Sequence, residues 1–282
     1  MSSLDLKIEG PEGPFGNEIF HLLRRFLQAE KAVTMESTAQ SILALLPENG
    51  SLSTDVWIFG EICIELAEQI PYHHPSQLKL VGLLEDLGMS RKLGLTVPSK
   101  ETSKGCCVRY QRLGESLRDN LACPDPENPS EYVNFHAFAA NVFERRFFSN
   151  GPTWAIWAQR DAHEDRREEK GVIRDAYVLA AAQWILWYGQ SLFKQVLFPG
   201  DAPDDLRPWT PGPLYHGKAS LSLHRWHFWR DGFNAVASGQ EKGGEAFGQE
   251  CTSVAAKAVE IMDSLERNMT FTRFRIFHPL HN

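Results

Sequence analysis

From Ala176 to Phe193 the chain reads AYVLAAAQWILWYGQSLF, a run without a single charged residue. It barely reaches the length of a bilayer span, contains Gln183, Gly189 and Gln190, and follows the charged stretch Asp161–Lys170. No second run of this kind accompanies it. The segment therefore reads as the central helix of a water-soluble core, apolar on all its sides. Such a helix must be surrounded, and the periodicity of the rest of the chain predicts what surrounds it.

Gly10, Gly13 and Gly16 alternate with Pro11 and Pro14, so residues 1–16 are expected to be a loop or disordered. Ile19, Leu22, Leu23, Phe26 and Leu27 follow at helical spacing. Thr34 or Ser37 opens a second helix, stopped by Pro47 to Gly50. Ser53 or Thr54 caps a third, with Trp57, Ile62, Leu66 and Ile70 turned inward, and Pro75 starts a fourth that reaches Gly88. Residues 90–130 are broken by Gly94, Pro98, Gly105, Pro124, Pro126 and Pro129, apart from a helix near 108–121. This is the expected boundary between two lobes, about 17–95 and 130–270, within one domain of residues 17–270. Further helices run through Tyr132–Phe143, from Pro152 into the charged stretch, over 172–198, over Leu221–Ser238 and over Thr252–Asn268. Alternating strand patterns are scarce. The fold class is all-α: a multi-helix bundle of antiparallel helical hairpins in two closely packed lobes. In the tail, 271–282, Phe271, Phe274 and Phe277 recur every third residue and are expected to dock on the body.

A formal net charge of −7 and a pI of 5.8 exclude a protein that works by neutralising nucleic-acid phosphates. The five cysteines are irregularly spaced, with no CxxC pair, as expected of reduced thiols in a cytoplasmic protein. The start lacks a basic region followed by an apolar run, so no signal peptide is evident. No P-loop, dinucleotide fingerprint, GxSxG or kinase signature occurs, and no cofactor is expected.

The runs FHAFAANVFERRF, WAIWAQRDAHED, DAYVLAAAQWILWYGQSLF, LSLHRWHFWRDGFNAVA and AAKAVEIMDSLE, with IPYHHPSQLKLVGLLEDL before them, resemble a fungal family of uncharacterised helical proteins, domain-of-unknown-function family 3632. The likeness covers roughly residues 55–268. It implies an all-α domain, often encoded beside secondary-metabolite genes, and carries no catalytic residues over. His163 departs from it, standing where the tryptophan-rich motif implies an apolar residue.

Six of the eight tryptophans fall in i, i+3 pairs: Trp154 and Trp157, Trp184 and Trp187, Trp226 and Trp229. Packing accounts for most such stripes. The sharper expectation is that these helices, with Phe135, wall one cavity for an apolar ligand, oriented by Gln183. Asp161, His163 and Tyr177 would then supply proton transfer or a polarising hydrogen bond. Asp161 and Asp165, one turn apart, are a weak acidic pair for a cation. His224, His227 and Asp231 share a helical face at a spacing that could hold zinc or iron, although no third-ligand motif supports it, and no metal is expected. The expected function is that of a cofactor-independent natural-product cyclase or isomerase acting on an apolar terpenoid or polyketide intermediate, without nucleic-acid partners or a membrane span. The alternatives are a helical interaction module or a small-molecule carrier.

Overall fold

The computed structural model describes residues 4–8, 13–28, 33–48, 52–97, 106–109, 111–147, 151–166, 169–199, 205–239 and 245–269. Phe271, Phe274 and Phe277 lie outside them. The chain divides into two compact units, residues 1–151 and 152–282. Both are helical, as the sequence predicts, and among the described residues ten α-helices form the framework. No described helix is long and apolar enough to cross a membrane.

The first unit is organised around α3 (Thr54–Gln69), which packs on α1 (Gly13–Leu27), α4 (Pro75–Leu87), α5 (Gln111–Asp119) and α6 (Pro129–Glu144). Its start is set by Ser53, whose hydroxyl accepts from the Val56 N–H. α2 (Met35–Leu45) opens with a reciprocal capping box between Thr34 and Ser37, so both candidate cap residues take part. α4 begins at Pro75, whose missing N–H costs nothing in a first turn. Gly60 lies where α5 crosses α3. A Cβ there would come within 3.1 Å of Ser116 Oγ and 3.4 Å of the Leu113 backbone. Because α5 buries Leu113, Ser116 and Leu117, the 90–130 stretch belongs to the first unit, and the division of the chain falls later, at 151/152.

Two features of this unit depart from the sequence reading. A two-stranded antiparallel ribbon, β1 (Gly94–Val97) and β2 (Cys106–Arg109), occupies part of the irregular stretch. Four-residue strands are too short to display alternation. Residues 13–16, expected to be loop or disordered, open α1 instead, while residues 4–8 keep the expected loop and are held in place: Leu4 and Leu6 are buried, and Gln28 Nε2 donates to the Leu4 carbonyl at 2.7 Å.

α6 buries His136, with Tyr132 and Phe135 edge-on to its ring. Burial disfavours the imidazolium and pulls the His136 pKa down to about 3.

The second unit is built on α8 (Gly171–Leu197), which contains the uncharged run of the sequence and against which α7 (Thr153–Gln159), α9 (Leu223–Ala237) and α10 (Gln249–Met269) pack. α7 passes into one π-helical turn, Arg160–Glu164, closed by Asp165 N–H to the Arg160 carbonyl at 3.0 Å. The helix runs into the charged stretch, as expected, and ends there at Glu164. The Glu164 carbonyl instead accepts from Leu214 N–H at 2.8 Å, outside any helix.

The reason lies in the Glu164 side chain. It is fully buried and bonded to Arg225, itself fully buried, through Nε at 2.7 Å and Nη2 at 2.9 Å. Trp229 Nε1 adds a bond at 2.6 Å and the Gly212 N–H one at 3.0 Å. Arg225 also donates to the Trp209 carbonyl. A Cβ on Gly212 would lie 2.6 Å from the Glu164 carbonyl, and one on Gly232 would lie 2.5 Å from the His163 ring. Both glycines are therefore required by the approach of the π-turn.

Two measurements check this account. Arg225→Met should lower the unfolding free energy of the full chain by about 3–5 kcal/mol in urea titration, since it strands a buried carboxylate. The His136 ring should show no NMR titration between about pH 5 and 8, because its neutral form is the folded one.

Candidate functional site

Trp57, Glu61, Glu65 and Glu68 fall at helical spacing on one side of α3. They line a half-open cleft of about 690 Å³ in the first unit, within the range of small-molecule sites. Glu131 from α6 and Asn120, just beyond α5, form further wall. Asp5, Lys7 and Ile8 complete it from the fixed segment at residues 4–8.

Trp57 was expected to face the core. It is 37% exposed instead, because it shares the polar side of α3 with the glutamates. Its indole thus offers a π surface beside carboxylates.

The charges of the cleft are unevenly compensated. Lys7 pairs with Asp5 at 2.7 Å and holds its carboxyl below the usual range. The Asn120 amide donates to both oxygens of Glu61, at 3.3 and 3.2 Å. Glu68 is held among like charges: its burial, followed by repulsion from Glu131, Glu65 and Glu61, raises its pKa to about 7. A carboxyl titrating there can both give and take a proton near neutral pH. Gln69 and Asn134 tie the surroundings down. Gln69 bonds both the N–H and the carbonyl of Lys7, and Asn134 Nδ2 donates to the Glu68 carbonyl.

The residues singled out from the sequence lie elsewhere. Phe135 is buried in α6 of the first unit, and the tryptophan pairs belong to the second. Gln183, Trp184, Trp226 and Trp229 have no accessible surface and so present no wall to a ligand. Trp184 packs edge-on to Tyr188, and Trp226 lies against Phe193. Gln183 Oε1 accepts from Trp187 Nε1 at 3.2 Å, while Gln190, two turns on, is exposed. Trp154 is buried, and Trp157 donates to the Pro208 carbonyl at 2.7 Å.

Of the three proposed proton-transfer groups, His163 and Tyr177 are buried. The His163 ring stands edge-on to Phe233, with centroids 4.3 Å apart. Asp161 is partly exposed, 4.0 Å from the Arg160 guanidinium. The histidines of α9 diverge: His224 bonds the Tyr215 hydroxyl at 2.8 Å, and His227 bonds Glu266 at 2.9 Å. Among the described residues no three His, Cys, Asp or Glu side chains converge as metal ligands. Burial also pushes up the pKa of the Cys63 thiol, which disfavours its thiolate.

The cleft had a signal in the sequence, the acidic i, i+4 and i, i+7 repeat of EICIELAEQ with Trp57 one turn ahead. The aromatic pairs drew attention away from it.

The chain is thus a helical protein of two units, with a carboxylate-lined cleft in the first and a buried ion pair in the second. The chain belongs to the family described as protein of unknown function (DUF3632), whose model matches residues 61–233. The family assignment read from the helical motifs thus holds. No curated protein and no solved structure matches the chain. The matched stretch includes Glu61, Glu65, Glu68 and Glu131, and also Glu164 and Arg225. It leaves out Trp57 and residues 4–8.

The raised Glu68 pKa has a measurable cost. The folded chain keeps a proton that the unfolded chain releases, so stability falls as pH climbs from the ordinary glutamate value of 4.5 to about 7. Glu68→Gln should therefore raise the unfolding free energy by about 1–2 kcal/mol at pH 8, after allowance for partial exposure, and leave it nearly unchanged at pH 4.

Proposed function

We propose that the chain binds a small organic cation in the cleft of the first unit and isomerises or cyclises it by proton transfer through Glu68, without a redox cofactor. The observation that carries this reading is the cleft itself, which sets a carboxyl titrating at about 7 beside three further glutamates and an exposed indole. An ammonium ligand is favoured by the surrounding carboxylates and by the π face of Trp57. Glu68, part ionised near neutral pH, takes a proton from one atom of the bound molecule and returns it to another, so the net change is a rearrangement. The fungal secondary-metabolite setting implied by the resemblance makes an amine-bearing natural-product intermediate the substrate class. The apolar intermediate expected from the tryptophan content has less support, since Trp184, Trp226 and Trp229 offer it no surface.

Calorimetric titration of the full chain with dansylcadaverine tests the binding step, with dansyl amide as the control that lacks the ammonium. The cation should bind and the neutral control should not, and Glu68→Gln or Trp57→Ala should weaken binding about tenfold. Raising the pH from about 6 to 8 should tighten binding as Glu68 ionises. Deletion of the gene should cause an amine to accumulate, and the purified chain should convert it without added cofactor. Its kcat/KM should fall on a low-pH limb near 7, and Glu68→Gln should abolish turnover. Equal binding of cation and neutral control would overturn the reading.

A further inference from the structure

The segment Leu4–Ile8 is attached to the first unit unlike any helix in it. Leu4 and Leu6 point inward and are buried, while Asp5 and Lys7 point outward and are exposed. Among the described residues its polar attachments run through side-chain amides. Gln69 clamps the Lys7 peptide unit with bonds of 2.9 and 2.8 Å, and Gln28 holds the Leu4 carbonyl. Asp5, Lys7 and Ile8 of the same segment form one wall of the cleft.

We propose that this segment is a detachable wall of the cleft, which lifts to widen the half-open mouth for the ligand and settles again beside it. The inference rests on the reading of the cleft as a ligand site and names its gate. Among the described residues two buried leucines and three hydrogen bonds hold the segment, while ordering its five residues costs a comparable amount. Attachments so nearly balanced belong to the part of a structure that opens first. α3, which carries the opposite carboxylates, is held by helices packed around it and stays in place. Opening therefore moves Asp5, Lys7 and Ile8 away and leaves Glu61, Glu65, Glu68 and Trp57 where they are. It also removes Lys7, the cation that the cleft keeps at its own rim.

Hydrogen exchange on the full chain tests the gate without a ligand. The Lys7 amide, which Gln69 holds, should exchange at least about a hundredfold faster than those of Ile62–Leu66 in α3. Stopped-flow mixing with dansylcadaverine tests its consequence. Leu6→Ala, which empties the buried anchor, and Gln69→Ala, which removes the clamp, should each raise the association rate about tenfold. Exchange of the Lys7 amide as slow as in α3 would overturn the proposal. So would binding of dansylcadaverine at an unchanged rate in both variants. If dansylcadaverine fails to bind the unaltered chain, the reading of the cleft falls and the gate loses its purpose, whatever the exchange rates show.

Discussion

Glu164 presents a carboxylate to an interior without water, and the second unit is arranged to answer it. A buried ionised carboxylate is tolerated only when its oxygens are paired and hydrogen-bonded. Here the donors come from three directions: the Arg225 guanidinium and the Trp229 indole on α9, and the Gly212 amide in the preceding loop. To bring them together, α7 loosens into a π-turn, the loop folds back over the Glu164 carbonyl, and glycines stand at 212 and 232 where any side chain would collide. Arg225 lies near the rings of Tyr215 and Trp229, so the cation is enclosed by aromatic surface as well as by its counter-ion. Part of the tryptophan content of this unit is thereby explained: Trp229 is a hydrogen-bond donor within a salt bridge.

The first unit treats carboxylates in the opposite way. Glu61, Glu65, Glu68 and Glu131 converge on a cleft whose lysine is already engaged by Asp5. Burial first, and then the unfavourable charge density, raises the pKa of Glu68. A protein selected only for stability would exchange one of these groups for an amide at little cost to packing. Groups held in electrostatically unfavourable positions gather where a ligand or a proton is handled. This contrast between a carboxylate with every partner supplied and one crowded by its own kind is why the first unit, and not the tryptophan-rich second, carries the functional proposal.

Much of the helical framework was legible because it depends on neighbours in sequence. Ser53, the Thr34–Ser37 box and Pro75 mark helix starts through local hydrogen bonds and backbone restriction. The uncharged run could be recognised as α8 from composition alone. Where the reading failed, the deciding partner was distant. Trp57 was turned inward on the strength of its hydrophobicity, yet it stands with the glutamates on the exposed side of α3. Gln183 and Gln190 share a face by periodicity, yet only Gln183 is covered. The π-turn had no local mark, since it exists to aim Glu164 at an arginine 61 residues away.

The sequence by itself determined an all-α chain, the starts of most of its helices and the family to which it belongs. Helical period, caps and uncharged runs act over a few residues, and they survive in one dimension. Only the tertiary structure decided which aromatic residues are core and which are exposed, and that residues 4–8 meet α3 and α6 around one cleft. It also decided that Glu68 differs from the other glutamates of its helix. That difference is one of solvent access and of charges brought close by folding, and neither quantity exists until the chain has folded.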